Sequence, residues 1–165
     1  MKPWADSKPY KKWKLDVKSY QAKTRKNKNP DNMCVKSSFC KGAQKIPRRL
    51  MPQIYNTKKF SKSIFKRFRI RSKTLKMPTG HLKPSQNEIN RQIVKKVVKS
   101  MKARPNKAHP PIVISKDNYV VDGHHRWAAQ KVLNPKKKIP VVKMNLPIND
   151  ALGVAIATET KRDAF

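Results

Sequence analysis

Acidic side chains are scarce in this chain: nine Asp and Glu stand against 41 Lys and Arg in 165 residues, a formal charge of +32 at pH 7. That imbalance exceeds what solubility requires and points to a polyanionic partner, nucleic acid first. Acidic membrane or an acidic protein surface meets the same electrostatics, and charge alone does not choose. Long apolar runs are also missing. No stretch approaches the ~20 residues that span a bilayer, and no apolar segment near the N-terminus resembles a secretory signal. The chain reads as intracellular, in cytoplasm or nucleoid, or as carried inside a phage particle assembled in a cell, with no membrane partner. Cysteine is limited to Cys34 and Cys40. Zinc would need two more ligands, and His81 and His109 are too isolated to supply a finger or ribbon spacing, so no metal site is expected. Two reduced thiols are the expectation in a cell, with a disulfide the alternative in an oxidising place. Internal repeats are absent, and the length holds one ordinary domain with an appended arm.

The charge is uneven: residues 1–80 carry 24 basic and 3 acidic side chains, residues 81–165 carry 17 and 6. Residues 1–45 combine lysine runs with scattered prolines, asparagines and the aromatics Trp4, Tyr10, Trp13 and Tyr20. Such a segment buries too little apolar surface to offset its ordering entropy and reads as an extended basic arm. Lys11, Lys12, Trp13 and Lys14 are its candidate nucleic-acid contacts, lysines on phosphates and the ring on a base. The aromatics could equally pin the arm to a protein groove. Residues 46–73 read as a basic linker. Within it Phe60, Ile64, Phe65 and Phe68 recur at helical spacing among lysines and arginines, predicting a short amphipathic helix. Arg48, Arg49, Lys66, Arg67, Arg69 and Arg71 add candidate duplex-phosphate contacts.

The compact domain is read as residues 74–165. Leu75, Met77 and Leu82 give a short strand or extended lead. Ile89, Ile93, Val94, Val97, Val98 and Met101 then mark a helix that ends before Pro105, with Asn87 or Ser85 as its cap. Ile112-Val113-Ile114 and Tyr119-Val120-Val121, joined by a turn sequence, form a β-hairpin. A helix over 123–133, a strand over 139–144 and an alanine-rich helix over 149–158 complete the order, with Trp127 in the core.

The hairpin runs directly into Asp122-Gly123-His124-His125-Arg126. A strand that turns at a glycine into a helix presents backbone N–H groups without intrahelical partners at the positive end of the helix dipole, which is an anion site. Gly123 permits close approach of a ligand, Asp122 is a candidate N-cap, and two histidines and an arginine occupy the same turn.

The element order and this junction resemble the ParB/sulfiredoxin fold over residues 74–157. Gly123 and Arg126 match the glycine and last arginine of the Gly-Glu-Arg-Arg motif of ParB proteins, and residues 82–101 resemble their preceding loop and helix. The Asp-Gly-His-His-Arg form is similar to free-serine kinases and to ParB-like phage proteins, some of which carry a lead comparable to residues 46–53. The resemblance implies an α+β domain, a small mixed sheet with about three helices behind the basic arm, whose site holds a nucleotide's phosphates. His124 and His125 replace the motif's glutamate and first arginine, and the place of the sulfiredoxin cysteine is His124, which leaves sulfinic acid reduction without a nucleophile. No room follows the domain for ParB's helix-turn-helix and dimerisation segments.

Gly123, His124, His125 and Arg126 are therefore the candidate nucleotide-binding residues. Asp122, Glu88 and His125 are the candidates for catalysis, with Glu88 as general base and Asp122 holding magnesium or accepting a proton. Adjacent helical residues point about 100° apart, so one histidine faces the ligand and the other packs or caps. The expected function is nucleic-acid association with phosphate or nucleotide binding at residues 122–126. The alternatives are a structural component of a phage particle, its arm on DNA or neighbouring subunits, and a magnesium-dependent phosphotransferase or nuclease.

Overall fold

A mixed sheet whose central strands are buried on both faces, at residues 112–114 and 120–121, organises the molecule. The computed structural model describes residues 2–23, 29–35 and 38–159. In chain order these contain α1 (Lys8–Ala22), α2 (Thr57–Phe68), β1 (Ser72–Pro78), β2 (Lys83–Pro84), α3 (Arg91–Ala103), β3 (Ile112–Ile114), β4 (Tyr119–Asp122), α4 (His124–Leu133), β5 (Lys138–Met144) and α5 (Ile148–Glu159). The five strands form one mixed sheet in the order β1-β5-β3-β4-β2. β1 runs antiparallel to β5 from Ser72↔Met144 to Pro78↔Lys138, β5 lies parallel to β3, the β3–β4 hairpin is antiparallel, and β2 lies parallel to β4. The fold is thus α+β, with five α-helices among the described residues, of which α3, α4 and α5 lie beyond residue 74. No helix among them is long and apolar enough to cross a membrane.

Side chains alternate across the sheet and sort into two cores. Val113, Val121 and Val142 pack with α5, α2 and Trp13 on one face, whereas Ile112, Ile114, Val120 and Val141 pack with α3 and α4 on the other. Trp127 is fully buried in the second core and donates from Nε1 to the Thr79 carbonyl at 3.1 Å.

α5 is buried from residue 151 to residue 157, as a helix apolar on every side must be. The sheet covers one side, and the N-terminal segment covers the other. That segment is not an extended arm over its described residues, which corrects the expectation for 1–45. Ser7 caps α1 by accepting from the Tyr10 amide at 3.3 Å, and Pro9 sits in the first turn, where a missing N–H does no harm. Tyr10, Trp13, Val17 and Tyr20 then fall three or four residues apart and turn one stripe onto the core. Trp13, expected to stack on bases, is buried and donates from Nε1 to the Leu50 carbonyl at 2.6 Å. Packing is close enough that a Cβ on Gly153 of α5 would come within 2.7 Å of Tyr10 and 3.0 Å of Trp4.

Residues 46–73 are not a linker, since Ile46, Leu50, Met51 and Ile54 are core residues. The amphipathic helix expected there is α2, with Phe60 and Ile64 buried and Asn56 capping the Lys59 amide at 3.0 Å. α3 begins later than expected. Its cap is Asn90, whose Oδ1 accepts from the amides of Gln92 and Ile93 at 2.9 and 3.2 Å. Ser85 and Asn87 are engaged elsewhere, Ser85 Oγ donating to the Val120 carbonyl at 2.6 Å and Asn87 Nδ2 to the Tyr20 hydroxyl at 3.2 Å. Cys34 and Cys40 are joined in a disulfide rather than reduced, their Cα atoms 5.1 Å apart, inside bonding reach.

Removing the indole tests the N-terminal layer. Trp13→Ala is expected to cost about 3–5 kcal/mol, the usual loss for a buried large aromatic, read by chemical denaturation. A midpoint equal to that of the unsubstituted protein would return residues 8–22 to the status of an arm.

Candidate functional site

β4 ends at Asp122, the chain turns through Gly123 at φ 97, and α4 starts at His124. The N-cap is Gly123, not Asp122 as expected. Two separate demands fall on this glycine. Its backbone is left-handed, which side chains with a Cβ resist. A Cβ there would also lie 2.7 Å from Arg126 Nη2 and 3.3 Å from Nε, because the guanidinium folds back across the turn. Arg126 Nη2 stands 3.6 Å from Asp122 Oδ2. The Asp122 carboxylate further accepts from the amides of Ile54 and Gly123, yet burial outweighs these partners and pushes its pKa up to about 6.

Both histidines act through Nε2 as acceptors. His124, 5 % exposed, receives the amides of Ser85 at 3.1 Å and Gln86 at 3.3 Å. His125 receives the amide of Asn90 at 3.1 Å. An accepting imidazole nitrogen carries no proton, so each ring is neutral with its hydrogen on Nδ1. Burial, aided by the neighbouring His125, holds the His124 pKa down to about 3; burial, aided by Arg48, holds that of His125 down to about 4. The pair fastens the segment between β2 and α3 to the first turn of α4. Each Nε2 is committed to main chain, which favours backbone positioning, and both residues also line the cavity at the turn, where a ligand would meet Nδ1.

The helix start itself is open. Its first intrahelical bond is Trp127 N–H to the Gly123 carbonyl at 2.9 Å, and among the described residues the amides of His124, His125 and Arg126 have no protein acceptor. They lie at a cavity of about 190 Å³ walled by residues 121–126, Gln86, and Arg48, Met51, Pro52 and Gln53 from the 46–54 segment. Small-molecule sites usually exceed roughly 300 Å³, so this volume suits a phosphate group better than a whole nucleotide. Two guanidiniums, Arg48 and Arg126, supply planar charged donors suited to an oxyanion.

Other expected site residues are dispersed. Glu88 does not line the cavity and does not start a helix: α3 begins only at Arg91, and the Glu88 carbonyl accepts from the Gln86 side chain. It is therefore not placed as a base for this site. Lys11, Lys12 and Lys14 are exposed on α1, and Lys66, Arg67, Arg69 and Arg71 are exposed at and beyond the end of α2. Arg67 is partly occupied, donating to the Thr158 carbonyl at 3.1 Å, and Arg49 lies 5.9 Å from the Tyr20 ring centre. Arg48, expected on a duplex, belongs to the cavity wall. Gln53, Gln86 and the Ile54 amide had no signal in local pattern, since only long-range folding brings them to the turn. Asp122 is the one carboxylate on the described wall, shared with Arg126 and two amides, and no group of three or more His, Cys, Asp or Glu able to hold a metal stands among the described residues. No family model, curated protein or solved structure matches the chain.

Acid should loosen the corner. An unfolded histidine takes a proton below about pH 6.5, whereas folded His124 refuses one until about 3, so its contribution is complete above 6.5 and is lost as pH falls toward 3. His124→Gln keeps an acceptor at the Nε2 position without titrating. Stability of the unsubstituted protein minus that of the variant should decline by about 1.4 kcal/mol per pH unit between pH 6.5 and 3; a difference independent of pH would refute the neutral-acceptor role. Gly123→Ala should cost about 1–2 kcal/mol from left-handed strain alone, measured by thermal denaturation, and a fully stable variant would mean the turn relaxes freely.

Proposed function

We propose that this chain is a nucleic-acid-associated, ParB-like protein that holds a phosphate, of a nucleotide or of a nucleic acid, at residues 122–126. The observation that carries the reading is the open start of α4, where three amides without a protein acceptor among the described residues belong to the lining of a cavity that also holds Arg48 and Arg126. The likeness of Gly123 and Arg126 to the ParB motif supports it, as does the +32 charge. Binding is favoured over phosphotransferase or nuclease turnover: Asp122, the one carboxylate on the described wall, would have to serve both as base and as metal ligand, while Glu88 does not line the cavity and both histidine Nε2 atoms are engaged. The commitment of those rings to main chain also favours a second reading, a structural protein of a particle in which the corner is scaffold alone.

Calorimetric titration with inorganic phosphate and with nucleoside triphosphates separates the two. Arg126→Ala and Arg48→Ala should each weaken phosphate binding about 10- to 100-fold, the worth of one charge-assisted hydrogen bond. Absence of binding to the unsubstituted protein, or titrations unaltered in both variants, would leave the scaffold reading. Affinity for duplex DNA should fall steeply as salt is added, because phosphate contacts release counterions; a flat salt dependence would remove the nucleic-acid half.

A further inference from the structure

The lysines of α3 have no role in the site. α3 turns Val94 and Met101 into the core on one side of the sheet, and α2 turns Phe60 and Ile64 into the core on the other. The two helices therefore lie on opposite sides of the sheet, each with its lysines on the arc away from its own core. On α2, Lys58, Lys59, Lys62 and Lys66 are exposed; on α3, Lys95, Lys96, Lys99 and Lys102 are exposed. Neither helix contains an acidic residue. Ion pairs among the described residues are Lys2–Asp150 and Arg126–Asp122, so among those residues none of these eight ammonium groups is neutralised by a carboxylate.

Spacing within α3 concentrates the charge. Lys95, Lys99 and Lys102 stand four and three residues apart and so line one stripe. Lys96 follows one position round from Lys95, while the apolar residues occupy the opposite arc. Like charges held this close repel one another, and a polyanion relieves that repulsion while releasing its own counterions. A sheet with helices packed on both faces separates the two outer surfaces by on the order of 30 Å, several times the ~8–10 Å over which salt screens charge. Each surface therefore acts on its own, and one straight duplex lying on α2 does not reach α3.

We propose that the protein is bivalent for duplex nucleic acid, holding one duplex on the α2 face and a second on the α3 face, and so bridges separate segments. This rests on the nucleic-acid half of the reading above and adds a second, independent surface. Charge favours nucleic acid over an apolar partner, because no large apolar side chain interrupts the exposed arc of α3.

The test uses the full chain, a bead-bound duplex and a free fluorescent duplex of the same length. The unsubstituted protein should bind free duplex and carry it onto the beads. Replacing Lys95, Lys96, Lys99 and Lys102 by Gln should lower capture at least tenfold while single-duplex binding persists through α2. The matching replacement of Lys58, Lys59, Lys62 and Lys66 should do the same while binding persists through α3. All eight are exposed, and unchanged melting temperatures would show that the fold is intact. Duplex binding without capture overturns bivalency alone, whereas absence of duplex binding overturns both it and the nucleic-acid reading. Capture that survives either fourfold replacement also overturns it, as does clustering of anionic phosphatidylserine vesicles in place of duplex capture.

Discussion

Two imidazole nitrogens fix the corner on which the cavity depends. Ser85 and Gln86 are buried, and their amides, together with that of Asn90, find acceptors only where His124 and His125 stand. A buried donor left unmade costs about 1–3 kcal/mol, so the rings decide where the segment between β2 and α3 lies. They thereby set the position of Gln86 on the cavity wall and of Asn90 at the start of α3. Because an acceptor must be unprotonated, the positive charge around the cavity comes from guanidiniums and the helix dipole, neither of which titrates near neutrality. Polarity and framework are thus separated: histidines hold the backbone, and arginines supply charge.

The second half of the fold was legible because its elements follow single, strong periods. The apolar positions of α3, the hairpin of β3 and β4, the glycine turn, β5 and the alanine-rich α5 all lie within a residue or two of where pattern alone puts them. The N-terminal layer was not legible. Its stripe is made of Tyr10, Trp13, Val17 and Tyr20, mostly aromatic residues set among lysines, so average polarity masks a regular spacing. Burial of residues 46–54 was hidden for another reason: Leu50 and Ile54 are held by contacts distant in sequence, with Trp13 and Asp122. The turn at 122–126 was readable in kind but not in detail. Neighbouring histidines announce polar chemistry without saying that their partners are main-chain amides some 35–40 positions earlier.

Shortage of carboxylates shapes the surface as well. With few anions available, cationic side chains settle over aromatic rings and beside carbonyls. Lys83 lies 4.2 Å from the Tyr119 ring centre, Arg67 5.0 Å from that of Phe68, and Arg69 5.4 Å from that of Phe65. Such contacts are worth about 0.5–1 kcal/mol at exposed sites. They order the stems without cancelling the charge, so the protein keeps its polycationic exterior while its side chains remain directed.

The enclosure of α5 has a bearing on biosynthesis. Helix α1 is made well before α5, which follows every other described element, yet each is the other's covering. At ~5–20 residues per second, the nascent chain waits on the order of ten seconds with the tryptophans of its leading segment unsheltered. Through that interval mutual repulsion among lysines opposes contact between growing chains. The same electrostatics that dress the finished surface thus already act before α5 closes over the N-terminal layer.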